Sequence, residues 1–201
     1  MSEHISNESQ PDDIKVILVG NSGVGKTSLI NIVTGREFNE HEKTTQGSSF
    51  SEKNITINEK DYLLNIWDTI GQERYRQLTK IFYNNSKIVI FVYDITIKES
   101  FDDLKYWAKD VEEQIGNNII KGVVANKLDL YLNEKVSSEQ GKDYATLNRA
   151  KFIEFSAKTD SPSKFEEFLI ELVKEYLPDK KDEKKIVLNK KNATKKKKCC
   201  K

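Results

Sequence analysis

The sequence has 201 residues, which suits one domain with a sizeable core and a short tail. Its 33 basic and 32 acidic side chains nearly balance, and 37% of the residues are hydrophobic, as in a soluble globular protein. The longest apolar runs fall well short of the roughly 18 residues that a membrane-spanning helix needs. Residues 1–13 lack the basic and apolar pattern of a secretory signal, which predicts a cytosolic protein.

Charge is distributed unevenly along the chain. Residues 179–201 contain eleven lysines and three acidic residues, so this tail carries +8 and the first 178 residues carry −7. An acidic body argues against nucleic-acid binding, whereas a basic tail favours contact with an anionic surface. Cys199 and Cys200 are adjacent and near the end, where neither a useful disulfide nor a zinc site is expected. Their position suggests modification.

Six segments have the length and the apolar or alternating pattern of β-strands. They are residues 14–19, 50–58, 62–68, 87–93, 119–125 and 151–155. The second and third are separated by a turn at 58–61 and predict a hairpin. The fourth and fifth are almost continuously apolar, as expected of strands that are covered on both faces.

Helical segments lie between these strands. Apolar residues follow helical spacing over 26–34 and again over 165–176. Ser100, Ser137 and Ser163 each precede a helical segment in the manner of an N-cap, and the last two have capping-box spacing.

The alternation of strands and helices predicts an α/β fold with a mostly parallel six-stranded sheet, one antiparallel strand and helices on both faces. We divide the chain into a disordered N-terminus (1–13), one domain (14–177) and a basic, disordered tail (178–201). In such sheets, ligands bind at the carboxyl ends of the strands.

A phosphate-binding loop is predicted at residues 20–27, which fit G-x-x-x-x-G-K-[ST] between a strand and a helix. Glycines allow backbone N–H groups to point at phosphates, and the helix N-terminus adds a positive dipole end. Lys26 would neutralise phosphate charge and Thr27 would offer a hydroxyl to Mg²⁺. The alternative, a glycine-rich turn with a chance lysine, is disfavoured by this context. The nucleotide-binding candidates are Ser22, Gly23, Val24, Gly25, Lys26, Thr27 and Ser28.

A second motif indicates which base is bound. Asn126, Lys127 and Asp129 follow the fifth strand, and the Asp129 carboxylate can accept from the ring N–H and the exocyclic amine of guanine, a donor pair that adenine lacks. The aliphatic part of Lys127 can lie on the ring. After the sixth strand, the segment Ser156, Ala157 and Lys158 could present a backbone N–H to the guanine oxygen.

These motifs, in this order, resemble those of the Ras-like small GTPases and, within them, the Rab family. Residues 67–75 resemble the γ-phosphate motif of that superfamily, and residues 45–50 resemble the Rab effector segment. The resemblance covers residues 14–177. It implies a GTP/GDP switch that hydrolyses GTP slowly and recruits effectors in vesicle traffic.

The resemblance also implies individual roles. Thr27, Thr45 and, through water, Asp68 would hold Mg²⁺, and Phe38 would stack edge-on against the base. Gly71 would donate to the γ-phosphate and Gln72 would orient the attacking water. The catalytic candidates are Gln72, Lys26 and Thr45. Loops 38–48 and 70–82 would relax after hydrolysis.

The resemblance further implies partners: effectors, an exchange factor, a GTPase-activating protein that supplies an arginine, and Rab escort and GDP-dissociation inhibitor proteins. Phe50, Trp67 and Phe82 resemble the Rab aromatic triad that effectors contact, although core aromatics are the alternative. Cys199 and Cys200 resemble double prenylation sites, which would place the protein on the cytoplasmic face of an intracellular membrane. An unmodified chain end is the alternative.

The sequence departs from the family at three positions. Ile70 stands where the family has a small alanine, Glu42 replaces an aromatic residue and Gln46 replaces an apolar one. Ile70 raises a rival function, a GTP-bound scaffold with negligible hydrolysis. A second rival, an ATP-dependent P-loop enzyme such as a kinase, is disfavoured by Asn126 and Asp129.

Overall fold

The computed structural model describes residues 12–41, 49–69 and 82–177. Several sequence-based predictions fall outside these ranges. The predicted site residues concerned are Thr45, Gly71, Gln72, Cys199 and Cys200, and the three family departures at positions 42, 46 and 70 lie there too. Roles assigned to these residues stay predictions.

The described chain contains one six-stranded sheet. Its strands are β1 (Asp12–Val19), β2 (Ser49–Ile57), β3 (Lys60–Asp68), β4 (Ile88–Asp94), β5 (Ile120–Asn126) and β6 (Lys151–Glu154). Their order across the sheet is β2-β3-β1-β4-β5-β6. The edge strand β2 is antiparallel to β3, and every other pairing is parallel. The predicted sheet is therefore confirmed.

Helices cover both faces of this sheet. They are α1 (Lys26–Val33), α2 (Lys98–Asp102), α3 (Leu104–Ile115), α4 (Ser138–Leu147) and α5 (Pro162–Tyr176), with a 3₁₀ helix at Leu128–Asn133. Alternate residues of β1 enter two separate cores: Leu18 packs with α1 and α5, and Ile17 packs with α3 and α4. Within the described ranges, no helix has the length and apolar composition that crossing a bilayer requires.

The start of β1 and the hairpin turn each differ from the sequence-based prediction by two residues, and the other strand ends agree with it to within one residue. β1 begins at Asp12, because Asp12 and Asp13 pair with Tyr62 and Leu63 of β3, so these two residues do not belong to a disordered N-terminus. The hairpin turn contains two residues, not four: Asn58 and Glu59 have φ values of 52° and 65°. Positive φ at both positions is typical of a type I′ turn, whose twist matches that of the strands.

One of the three predicted helix caps is confirmed and two are wrong. Ser137 forms a capping box with Gln140 at the start of α4. Ser100 instead lies inside α2, where its buried hydroxyl donates to the carbonyl of Ile97 and accepts from the backbone N–H of Asp94. Ser163 lies within α5, which begins at Pro162. A proline has a φ preset for the first helical position, so it moves the start two residues earlier than the capping-box pattern.

Leu169 offers a test of this packing, because its side chain is completely buried between α5 and the sheet. We expect Leu169→Ala to lower the free energy of unfolding by about 2–5 kcal/mol through lost burial and an unfilled cavity. Urea-induced unfolding followed by circular dichroism measures this change. Leu147→Ala is the matched control, since Leu147 is 84% exposed and its truncation should cost under about 0.5 kcal/mol. Equal losses in both variants would contradict this packing.

Candidate functional site

A cavity of about 300 Å³ opens where β1, β3, β5 and β6 end. Its volume is at the lower end of the range for small-molecule sites. The lining residues come from the loops after these strands and from the segment after α1. They are Ser22, Gly23, Gly25, Lys26, Thr27, Ser28, Phe38, Asn39, Glu40, Thr69, Asn126, Lys127, Asp129, Leu130, Ala157 and Lys158. Most of the predicted binding residues within the described ranges therefore meet at one place.

The glycine-rich loop between β1 and α1 requires glycine at two of its positions. At Gly20, an added Cβ would lie 2.1 Å from the carbonyl oxygen of Val92. At Gly25, the N-cap of α1, φ is 96° and a Cβ would lie 2.3 Å from Nδ2 of Asn126. Both contacts are far too short for any side chain, so the loop packs against β4 and the loop after β5 only with glycine there.

Lys26 is buried at the start of α1, with 6% of its surface exposed. Its Nζ donates to the carbonyl oxygens of Gly20 and Asn21, both at 2.9 Å. Burial lowers the pKa of Lys26 to about 8, and the nearby Asp68 carboxylate opposes this shift. An anion in the cavity would favour the charged ammonium and relieve the cost of its burial.

Thr27 and Asp68 bring two oxygen groups together beside Lys26. The Thr27 hydroxyl donates to Oδ2 of Asp68 at 2.6 Å. Asp68 is the last residue of β3 and is buried, and the next residue, Thr69, donates its hydroxyl to the carbonyl of Leu18 at 2.6 Å. The last bond fixes the end of β3 against β1, which holds the Asp68 carboxylate beside Thr27.

The buried side chain of Asn126 joins three loops. Its Nδ2 donates to the carbonyl of Val24 in the glycine-rich loop at 2.8 Å. Its Oδ1 accepts from the backbone N–H of Ala157, in the loop after β6, at 3.2 Å. Because Asn126 itself ends β5, one amide connects the predicted phosphate-binding loop to both predicted base-binding loops.

Lys127 and Asp129 follow Asn126 and are each held by a second polar group. Lys127 has a left-handed backbone, and its Nζ lies 2.7 Å from Oδ2 of the buried Asp94. The other oxygen of Asp94 accepts from the backbone and hydroxyl of Thr96. Oδ1 of Asp129 accepts from the Ser156 hydroxyl at 2.6 Å. The ammonium and the carboxylate are thereby fixed at the cavity wall.

Three predicted site residues, Val24, Asp68 and Ser156, do not line the cavity but bind residues that do. Val24 supplies the carbonyl for Asn126, and Ser156 supplies the hydroxyl for Asp129. Sequence reasoning missed Asp94, although its place at the carboxyl end of β4 is a signal for a site residue. It also missed Glu40, whose carboxylate lies 3.1 Å from Nζ of Lys158 and links the segment after α1 to the loop after β6.

An aromatic surface is formed by Phe50 of β2, Trp67 of β3 and Phe82, and the Trp67 ring also packs against the core that contains Ile17. The Trp67 ring lies 5.4 Å from Phe50 and 5.8 Å from Phe82, and Nζ of Lys15 lies 4.6 Å from its centroid. Phe50 is 54% exposed, so it is not a core residue.

Asn126→Asp tests the connection between the loops. A carboxylate cannot donate to the Val24 carbonyl, so we expect the free energy of unfolding to fall by about 1–3 kcal/mol. Urea-induced unfolding at one fixed nucleotide concentration measures the loss. Asn133→Asp makes the same change at an exposed position and should have almost no effect. An equally small effect at position 126 would show that the amide does not join the loops.

Comparisons with known proteins agree with this geometry. The model of the Ras family matches residues 15–177. The GTP-binding protein ypt3 of Schizosaccharomyces pombe is 42% identical over 71% of this chain and 67% of its own. The Ras-related protein RabC of Dictyostelium discoideum is 40% identical over 73% and 76%. The Ras-related protein rab-11.1 of Caenorhabditis elegans is 37% identical over 80% and 77%. The chain therefore belongs to the Ras family and is a Rab-like small GTPase.

Proposed function

We propose that this chain binds Mg²⁺·GTP in the cavity, hydrolyses it slowly, and alternates between GTP- and GDP-bound forms to recruit effectors in vesicle traffic. The observation that carries the proposal is the position of Asn126. Its amide holds together the loop that presents Lys26 and the loops that present Asp129 and Ala157, so groups for phosphate and for guanine line one cavity.

The phosphates are bound by the glycine-rich loop and the first turn of α1. Backbone N–H groups at a helix N-terminus attract anions, and Lys26 adds a charge at close range. Lys26 already binds two loop carbonyls, so its ammonium is positioned before the nucleotide arrives. The β- and γ-phosphates would thus add a charged acceptor for the remaining N–H of the ammonium, which the two loop carbonyls already orient.

The guanine base is selected by Asp129. Its carboxylate accepts from the ring N–H and the exocyclic amine, while the bond from Ser156 holds the carboxylate in orientation. The aliphatic part of Lys127 lies against the ring because Asp94 binds its ammonium. When the wrong base leaves buried polar groups of a site without hydrogen-bond partners, the site can favour the correct base by a factor of about 10⁴.

The residues present suit Mg²⁺. The Thr27 hydroxyl and the Asp68 carboxylate are oxygen groups 2.6 Å apart beside Lys26, and this metal prefers oxygen ligands together with substrate phosphates. Thr27 would bind directly and Asp68 through water, with Thr45 as the third predicted ligand. A bound Mg²⁺ neutralises charge on the phosphate oxygens.

Hydrolysis would depend on three residues. Gln72 orients water, while Lys26 and Thr45 act on the phosphate and its metal. Such catalysis is mostly positioning and charge stabilisation, and Arg74 and Arg76, close to Gln72 in the sequence, are expected to face partners and not the transition state. Turnover is therefore slow until an activating protein supplies one, with a gain of about 10³–10⁵. Loss of the γ-phosphate releases Thr45 and Gly71 and changes the surface around them.

The partners follow from the surface and the tail. The aromatic surface, of which Phe50 is exposed, would give effectors a place to sense the nucleotide, because Phe50 follows one predicted switch segment in the sequence and Phe82 ends the other. An exchange factor, an activating protein, an escort protein and a GDP-dissociation inhibitor complete the cycle. Prenyl groups on Cys199 and Cys200, with the +8 tail, would hold the protein on the anionic cytoplasmic face of an intracellular membrane.

Asp129→Asn tests base recognition. An asparagine amide can accept only once from the guanine donor pair and turns its N–H group towards the exocyclic amine. We therefore expect GDP affinity to fall by about 10²-fold or more. Xanthosine diphosphate has a carbonyl in place of that amine, so its affinity should rise. Competition against labelled GDP measures both changes.

The control for this experiment is Asp143→Asn, which removes a carboxylate from an exposed position of α4 outside the cavity lining. It should leave both affinities unchanged. An Asp129→Asn protein that keeps its preference for GDP over xanthosine diphosphate would rule out the assigned guanine site.

Ile70→Ala tests the rate of hydrolysis. A branched side chain next to Gly71 and Gln72 would disturb the water or the metal, so the alanine variant should hydrolyse GTP faster or bind Mg²⁺ more tightly. Single-turnover phosphate release and a Mg²⁺ titration measure the two effects. Equal rates and equal Mg²⁺ affinities would show that Ile70 has no such effect. Negligible release in both proteins, even with candidate activators, would favour the scaffold function.

A further inference from the structure

Asn21 is in the glycine-rich loop, yet it is not among the residues that line the cavity. Its side chain instead binds the start of α3. Nδ2 donates to Oδ2 of Asp103 at 2.8 Å, and Oδ1 accepts from the indole N–H of Trp107 at 2.8 Å. The backbone carbonyl of the same residue accepts from Nζ of Lys26. One residue thus connects the buried lysine of the site to a helix behind it.

Both hydrogen bonds of the Asn21 side chain end on residues that other contacts hold in place. Trp107 is completely buried in the core that also contains Phe91 of β4. Asp103 lies at the junction of α2 and α3, where its carbonyl accepts from the backbone N–H of Trp107. A side chain tied to these two residues cannot turn without breaking bonds to the core.

The two hydrogen-bond partners of residue 21 restrict which side chain can lie between them. The indole N–H of Trp107 can only donate, and the ionised Asp103 carboxylate can only accept. The side chain between them must therefore accept on one side and donate on the other. Asparagine does both, whereas aspartate cannot donate and would place two carboxylates at hydrogen-bond distance.

We propose that Asn21 is a positioning residue for nucleotide retention: by anchoring the loop to Trp107 and Asp103, it fixes the carbonyl that orients Lys26. When the anchor is lost, this carbonyl turns and Lys26 loses one of its two acceptors in the loop. The Lys26 ammonium then spends less time in the orientation that binds the phosphates, and the nucleotide dissociates faster. The inference rests on the proposed function, because retention of guanine nucleotide is its readout.

The test exchanges the two side chains. Asn21→Asp should raise the dissociation rate of fluorescently labelled GDP, measured with excess Mg²⁺, by about tenfold, as expected for loss of a charge-assisted hydrogen bond. Asp103→Asn alone should have little effect, since the new amide can still accept from Asn21. The double variant reverses donor and acceptor: the new amide at 103 donates to the new carboxylate at 21, which also accepts from Trp107. Its rate should return to within about twofold of the starting protein.

Two further variants complete the design. Asp102→Asn removes the neighbouring charge, which pairs with Lys98 at the surface, and should leave the rate unchanged. Trp107→Phe keeps a buried ring but removes the N–H donor, and should raise the rate less than Asn21→Asp does. It provides the measurement if Asn21→Asp fails to fold, and thermal unfolding with saturating GDP shows which variants are folded.

The possible results distinguish the positioning role of Asn21 from the proposed function as a whole. A folded Asn21→Asp protein that releases GDP at the starting rate would overturn the positioning role, as would a double variant that releases GDP as fast as Asn21→Asp. If Asn21→Asp does not fold, an unchanged rate in Trp107→Phe would overturn it. A starting protein that does not retain labelled GDP at all would refute the proposed function itself.

Discussion

The buried amide of Asn126 is the contact on which the site depends. A carboxamide has a separate donor and acceptor, and at the end of β5 it donates to the loop after β1 and accepts from the loop after β6. The amide of Asn126 also occupies the space that a Cβ at position 25 would need. It therefore fixes the conformation of the glycine-rich loop together with the position of the loop after β5. Neither loop can move far without leaving a buried polar group without its partner.

Electrostatics gives the site a preference for an anion before any ligand binds. Lys26 is buried among carbonyls, and its lowered pKa reports the cost of keeping an ammonium there. Asp68 compensates for part of this cost, but its carboxylate also binds Thr27. In the proposed complex with Mg²⁺·nucleotide, a phosphate near the lysine and a cation near the carboxylate would balance both charges.

Much of this architecture could be predicted from the sequence, because strands covered on both faces and motifs at their carboxyl ends leave strong local patterns. The sheet and the meeting of Lys26 with Asn126 and Asp129 in one cavity follow from such patterns. The starts of the helices near Ser100 and Ser163 could not be predicted from these patterns. The Ser100 hydroxyl binds Asp94 from within its helix, and a proline sets the helix start near Ser163. The bonds between Asn21 and α3 could not be predicted either, because they join residues 82 and 86 positions apart.

Strand β3 ends in two adjacent residues with opposite surroundings. The Asp68 carboxylate accepts from Thr27 of the cavity lining, whereas the Trp67 ring belongs to the aromatic surface. Side chains alternate along a strand, so a single peptide unit separates the carboxylate from the indole. The chain has two tryptophans, and the other, Trp107, is sealed in the core. The protein therefore carries an intrinsic fluorophore at its aromatic surface, one residue from the Asp68 carboxylate, and optical spectroscopy can follow that surface without an attached dye.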